Sequence, residues 1–464
     1  MGEFKAGFAR VNITPMLGVG ISGYFKPRTS DGVLDELEAN ALAVEKDGVK
    51  AVIIAVDSCG MVQEFIDPVR KEIEAKLAIP YEGSYIAATH SHTTTYVLRA
   101  DEGADQALTD AYTDFLHKRL VDAAALAVAD LKPAKLGIGK SRAKDIAFVR
   151  RYVMKDGSVQ TNPGVNNPDI VCPVGQIDDQ VNVLRFDREG AETIVLANFG
   201  CHPDVVGGNK FSADWPGFFR RRFEKAEDNV KCLFLNGAEG DINHVNVHPK
   251  GGDFNDMFND FDDVSRGYGH ARHMGNVVAG AVLSVYDKVE YVDVDSIGFI
   301  QKTIQLPVNK PDPEANKLPG RKYQEPTIEE AHKTKELHEA GRDDLIPYRG
   351  MMLTTVVAEA LRMCRFENGP DFIPMYLAGL KIGPVAFIGI PGEPFNGVSV
   401  GLKEAEGEDY KMVCPCCLTD GEIGYFPMYD AYLEGGYESR SSEFKAGTAE
   451  LIVSEGRKIM EELK

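Results

Sequence analysis

The chain has 464 residues, 44% hydrophobic and 26% charged, which suits a large folded core and excludes a wholly disordered protein. Its 71 acidic residues against 51 basic ones leave a formal net charge of -20. A field of that sign repels phosphate backbones and anionic membrane surfaces, so neither nucleic-acid binding nor membrane insertion is expected, while a metal cation or a small-molecule polar substrate remains compatible.

The N-terminal MGEFKAGFARVNITP has no basic region followed by a long apolar stretch, and Ala6 breaks the myristoylation pattern. No secretory leader or lipid anchor is therefore expected. No run approaches the ~18 apolar residues of a transmembrane helix. Eight cysteines read as reduced, mostly buried thiols, which places the protein in the cytoplasm. Cys414, Cys416 and Cys417 have no second ligand pair and read as structural.

Taken in chain order, β-branched content predicts a strand over 51–56 (AVIIAV), a helix over 67–78, a strand over 84–88 and a helix over 109–131. Strands follow at 194–199 and 230–235 (VKCLFL), with helices at 216–227 and 269–289. A long amphipathic helix at 327–340 lies in a Pro-, Lys- and Glu-rich inserted arm at about 309–349, and VAFIGI closes the set as a strand at 385–390. Alternating strands and helices predict an α/β protein. Strands apolar throughout suit a mixed β-sheet core covered by helices on both faces. The expectation is one domain over 1–464 with a helical arm.

Several motifs fail on context. GVGISG, with Gly18, Gly20 and Gly23, has dinucleotide-binding spacing, but GYFKPRTSDG after it cannot make the required helix. GIGKS at 137–141 lacks the first glycine of a phosphate loop, since Ala134 stands there. The acidic run at 253–263 lacks a calcium loop's glycine and terminal glutamate and reads as a solvated loop. His270 and His273 stand three apart in a predicted helix without a carboxylate partner. No G-x-S-x-G elbow is present.

Polar groups recur just past apolar strands. YIAA runs into Thr89-His90-Ser91-His92, where an extended chain would place both imidazoles on one face. IVLANFG runs into Cys201-His202-Pro203-Asp204, KCLFLNG into Ala238-Glu239-Gly240-Asp241, and VAFIGI into Pro391-Gly392-Glu393. Sheets with helical crossovers bind ligands at their strands' carboxyl ends. Neutral imidazoles and a carboxylate from separate elements are what a catalytic zinc site uses; a hydrogen-bonded structural histidine is the competing reading of each position alone.

ATHSHT, NFGCHPDVVGG…SADWPGFFRR, FLNGAEGDIN, PGEPFNG and GYFPMYDAYLEGGYES occur in the order found in the neutral, non-lysosomal ceramidase family, and the chain resembles that family's catalytic domain from Phe8 to Tyr437. The resemblance implies a zinc-dependent amidase with Zn2+ held by His90, His202, Glu393 and Tyr437. It also implies that His92 lines the site as a proton donor and that Arg150, in FVRRY, contacts the reacting group, with Arg151 as the alternative. The immunoglobulin-like C-terminal domain of those enzymes is expected to be absent.

Two departures bear on the substrate. The family's G-D-x-S-P is Gly240-Asp241-Ile242-Asn243-His244, so the serine is lost and hydrolysis depends on water activated at a metal. The family's H-S-G-P becomes His92-Thr93-Thr94-Thr95. Asn243, Thr93 and Asp241 are therefore expected to line a substrate pocket. The leading expectation is a zinc hydrolase acting on an amide or related acyl bond of a small soluble substrate other than ceramide. Ester, lactone or sugar-derivative hydrolysis and a non-catalytic ligand-binding descendant are the alternatives.

Overall fold

The computed structural model describes residues 3–100, 103–251 and 267–464. Its larger sheet contains β1 (Lys5–Asn12), β2 (Glu38–Lys46), β3 (Val49–Val56), β4 (Ser84–Ala88), β5 (Lys132–Arg142), β6 (Gln180–Arg188), β7 (Thr193–Phe199), β8 (Val230–Asn236) and β9 (Glu290–Val292). The spatial order is β8-β7-β6-β5-β1-β2-β3-β4, with β9 beside β5. Both ends are parallel pairs, β3 with β4 and β7 with β8, and the middle is antiparallel. A second sheet runs β10 (Ile297–Pro307), β11 (Phe372–Ile382), β12 (Val385–Gly389) and β13 (Met412–Cys416), its last pair parallel.

Each parallel pair is joined through a helix, as parallel geometry requires. The connectors are α1 (Gln63–Leu77) between β3 and β4, α3 (Asp214–Ala226) between β7 and β8, and α7 (Asn396–Lys403) between β12 and β13. The other helices that cover the sheets are α2 (Gln106–Ala129), α4 (Tyr268–Tyr286) and α8 (Thr448–Glu462), while α5 (Ile328–Glu339) and α6 (Gly350–Phe366) lie in the insertion between β10 and β11.

The α/β expectation holds, and the sheet core is doubled. Side chains alternate along a strand, so Leu42, Ile53, Leu184 and Leu233 of the larger sheet meet Leu380, Val385 and Phe387 of the smaller one. Their neighbours Ala41, Val52 and Ile54 face Phe65 and Ile66 of α1 and Leu116 and Leu120 of α2. Val195 and Phe234 face Trp215 and Phe219 of α3 and Met274 of α4. Leu377 and Ile388 turn outward onto Val398 and Ile452. The layers run helix, sheet, sheet, helix, which explains strands that are apolar on both faces.

The predicted strands and helices all recur with shifts of a few residues at their ends. Most strands that apolar content did not reveal are antiparallel and carry polar residues, as in KPAKLGIGKSR of β5, whereas β13 (MVCPC) is buried and parallel to β12. GIGKS lies inside that strand, and no helix follows Gly23. The acidic run at 253–263 falls outside the described residues. The arm holds the predicted helix as α5, whose Ala331 packs on Ala360 and Met363 of α6. All eight cysteines are unbridged, and Cys414, Cys416 and Cys417 are buried. No described helix is long and apolar enough to cross a membrane.

One buried ion pair ties the sheet to α3. Arg220 Nη1 and Nη2 donate to Asp57 Oδ1 and Oδ2 at 3.0 and 2.6 Å, and neither side chain is more than 1% exposed. Asp57 follows β3 and opens the loop toward Cys59. Removing one partner of such a pair strands a buried charge. Arg220→Met should therefore cost ~3–5 kcal/mol, read as a lower urea midpoint, and Asp57→Asn on that background should recover part of the loss.

Candidate metal centre and its cavity

Four strand ends deliver the candidate ligands to one place. His90 and His92 follow β4, His202 follows β7, Glu239 follows β8 and Glu393 follows β12. His90, His202, Glu239 and Glu393 each offer a ligand atom, all within 4.8 Å of one another, and all four residues are buried. Glu393 Oε2 lies 3.1 Å from His202 Nε2 and 3.4 Å from His90 Nε2.

The chain beyond β4 is not extended. The strand stops at Ala88, His90 takes φ 74°, and residues 92–93 form a turn. His90 and His92 therefore do not share a strand face. The turn instead brings their Nε2 atoms to 3.1 Å. A left-handed histidine costs roughly 1–2 kcal/mol and is held by His90 N–H donating to Ser58 O. Gly23 supplies the room: a Cβ there would lie 2.7 Å from His92 Cβ, and its φ is +101°. The last glycine of GVGISG thus serves close packing against the site.

The tautomers are set by the backbone. His90 Nδ1 meets Cys59 O at 2.5 Å, and His202 Nδ1 meets Glu239 O at 2.9 Å and Ile242 O at 3.1 Å. A carbonyl at Nδ1 keeps the proton there and leaves the Nε2 lone pair facing inward. Glu239 Oε2 also approaches His202 Nδ1, at 2.5 Å, but off the line of a hydrogen bond, and both its carboxylate oxygens lack a hydrogen-bond partner. Glu393 Oε2 is likewise buried without one.

Lone pairs and an unsatisfied carboxylate converging on one point fit a divalent cation. Borderline nitrogen and oxygen donors suit zinc. His90, His202 and Glu393 are the residues that would hold it, and Glu239 would orient His202. Arg150 Nη1 is 3.2 Å from His202 Nε2, so a cation would take over that lone pair. Arg150 stays anchored by Glu438 Oε1 at 2.6 Å, Gly240 O at 2.8 Å and Tyr425 Oη at 3.2 Å.

The charges reflect this crowding. Burial lowers the His202 imidazole, but the adjacent carboxylates of Glu239 and Glu393 outweigh burial and Arg150 and hold it up to about 9. Burial also opposes protonation of His90, and Glu393 and Glu239 raise it well above its ordinary value. Burial and the adjacent His90 push His92 well below its ordinary value. Burial would raise Glu393, yet His90 and His202 hold it far down.

Two cavities open from the cluster. One, of about 380 Å³, is lined by His92, Arg150, Asp204, Asn243, His244 and Tyr437, with Met351 of α6 at its edge. The other, of about 220 Å³, is lined by Cys59, His90, Glu393, Glu422 and Tyr437. Tyr437 borders both, its ring 5.7 Å from Tyr425 and 5.6 Å from Phe25. Burial and Glu393 raise its phenol, which therefore keeps its proton.

His90, His92, His202, Glu393, Arg150, Tyr437 and Asn243 thus meet at the site. Thr93 and Asp241 do not. Thr93 is sealed, its hydroxyl donating to Ser212 O at 3.1 Å. The neighbouring hydroxyls are also engaged, Thr94 with Ser91 O and Thr95 with Gly20 O. Asp241 Oδ1 accepts from Asn396 N–H at 2.7 Å and caps α7, and burial pushes its carboxyl up to about 6. Arg151 turns away to Glu434 and Gly435. Glu239, Glu422, Asp204 and His244 were not foreseen as site residues. Asp204, Glu239 and His244 carried one sequence signal, their place in the polar stretches that follow apolar strands; Glu422 carried none.

The architecture is that of the ceramidases. Neutral ceramidase from Pseudomonas aeruginosa superposes with a TM-score of 0.70 at 18% identity, covering 99% of this chain and 75% of that one. A ceramidase complexed with C2 gives a TM-score of 0.70 at 16% identity with the same coverage. The chain has the neutral ceramidase fold, as its ordered motifs implied. No family model and no curated protein matches it by sequence.

Glu239→Gln should weaken binding of a divalent cation by ~10–100-fold, the effect of losing an orienting carboxylate. Glu393→Gln, which removes a ligand charge, should weaken it further. Competition with a chromophoric chelator reads both.

Proposed function

We propose that the protein is a zinc-dependent hydrolase that cleaves an amide or related acyl bond of a small substrate. The observation that carries the proposal is Glu393 Oε2, buried without a hydrogen bond between the Nε2 atoms of His90 and His202. Likeness to structures described as ceramidases supports the same class of chemistry. Cavities of about 380 and 220 Å³ suit a small ligand, and eight unbridged cysteines suit a cytoplasmic location.

Bound zinc supplies a Lewis acid and lowers the pKa of the water it holds toward ~7. The chain's own groups do the rest. Arg150, fixed by Glu438, points its guanidinium into the cavity where negative charge develops on the acyl oxygen. Tyr437 donates its phenolic hydrogen to the same oxygen, and as a phenolate it would be a further residue able to hold the cation. Asn243, fixed by Asn162 at 3.1 Å, orients the substrate. His92, uncharged beside His90, lines the path between the two cavities and carries a proton across it.

The protein should contain about one zinc per chain, as a single set of protein ligands with one open position implies, and His202→Ala should lose it. Chelation should abolish hydrolysis of a panel of short amides, esters and lactones, and added zinc should restore it. Protein that takes up no zinc, or that turns over the panel equally well without it, would overturn the proposal. The members cleaved decide between amide and ester chemistry.

A further inference from the structure

A second pair of ionisable groups lines the larger cavity beside His92 and Arg150. His244 Nδ1 lies 2.9 Å from Asp204 Oδ1, and both residues line the cavity with His92 and Arg150. His244 is only 7% exposed. Its other nitrogen, Nε2, makes no hydrogen bond among the described residues and is not sealed away from the cavity. This is the arrangement of a carboxylate that fixes an imidazole by Nδ1 and leaves Nε2 for a reacting group.

The pair is tied to the metal cluster by short lengths of chain. Asp204 is two residues beyond His202, so their Cα atoms are at most ~7 Å apart. His202 N–H and Nδ1 both meet Ile242 O at 3.1 Å, and His244 is two residues beyond Ile242. His92, the other imidazole on this cavity, has a different setting. Its Nε2 meets His90 Nε2, and its Nδ1 is buried without a partner. Among the described residues, no carboxylate hydrogen-bonds to it.

We infer that Asp204 and His244 form a proton-donating dyad, with His244 Nε2 the group that protonates the leaving nitrogen of an amide substrate. The inference rests on the hydrolase reading above. Water adds to the acyl carbon, and the C–N bond then breaks with its electron pair remaining on nitrogen. The Nε2 proton passes to that nitrogen, and the proton released by water recharges His244, so amide and water become amine and carboxylic acid. Among the described residues, Asp214 at the start of α3 and His270 of α4 also lie near His244, the His270 ring centroid 5.7 Å away.

An amide must have its leaving nitrogen protonated, whereas an ester of an acidic phenol need not. Zinc-loaded wild type and His244→Gln should be compared on N-acyl 7-amino-4-methylcoumarin amides and the matching 4-methylumbelliferyl esters, from acetyl to octanoyl. The substitution should lower the amide-to-ester ratio of kcat/KM by ~10²–10⁴-fold, the range of general acid catalysis, with zinc content unchanged. An unchanged ratio overturns the dyad but not the hydrolase, as does a wild type that cleaves only the esters. A zinc-loaded wild type that cleaves neither series overturns both. Should His244→Gln fail to fold, ¹⁵N-histidine spectra of the wild type give an independent measurement. His244 should be protonated at Nδ1 throughout, and an unprotonated Nδ1 overturns the dyad.

Discussion

Two carboxylates flank a single buried imidazole, and the site is organised around that fact. Glu239 and Glu393 stand at opposite ring nitrogens of His202, and neither has a hydrogen bond to the outer oxygen that faces it. An uncompensated buried carboxylate costs several kcal/mol. Arg150 offers little relief, because its charge is already matched by Glu438. Positive charge must come from protons on the histidines or from a cation in their place. Without a cation, the carboxylates favour protonation of His90 and His202, the latter raised to about 9. Metal binding and proton release are then one event.

The fold concentrates these groups because it repeats one device three times. Each parallel strand pair is linked by a helix, and each such link leaves its strands' carboxyl ends pointing the same way. Two pairs lie at the flanks of the larger sheet and one in the smaller sheet stacked on it. Histidines come from the first sheet and Glu393 from the second. The Leu42–Phe387 layer between the sheets therefore sets the distance between ligands as well as the stability of the core. The helical insertion reaches the same end of the sandwich and contributes Met351 to the cavity.

How much was legible follows from these same elements. His202 and Glu393 follow strands buried on both faces, which read as unbroken apolar runs. Their place at a strand end was visible, and so was that of Glu239, though not its role. The THSH stretch was legible as a site but for the wrong geometric reason, since His90 turns left-handed where an extended chain was expected. The threonines after it looked like a pocket rim because hydroxyls look solvent-facing in sequence. Each instead satisfies a buried carbonyl, as buried backbone requires. Asp241 was misread in the same way: it caps a helix that begins far along the chain.

What the sequence by itself determined lies within single elements: the apolar runs, the helices between them, the α/β class and the polar residues where each run stops. These depend on a few adjacent residues, and their periodicity carries the information. Only the tertiary structure decided which strand ends meet, which tautomer each histidine holds, and that Asp204 faces His244 rather than solvent. Those outcomes depend on side chains distant in sequence meeting in a low-dielectric interior. There every buried polar atom must find a partner, and no local pattern specifies which one.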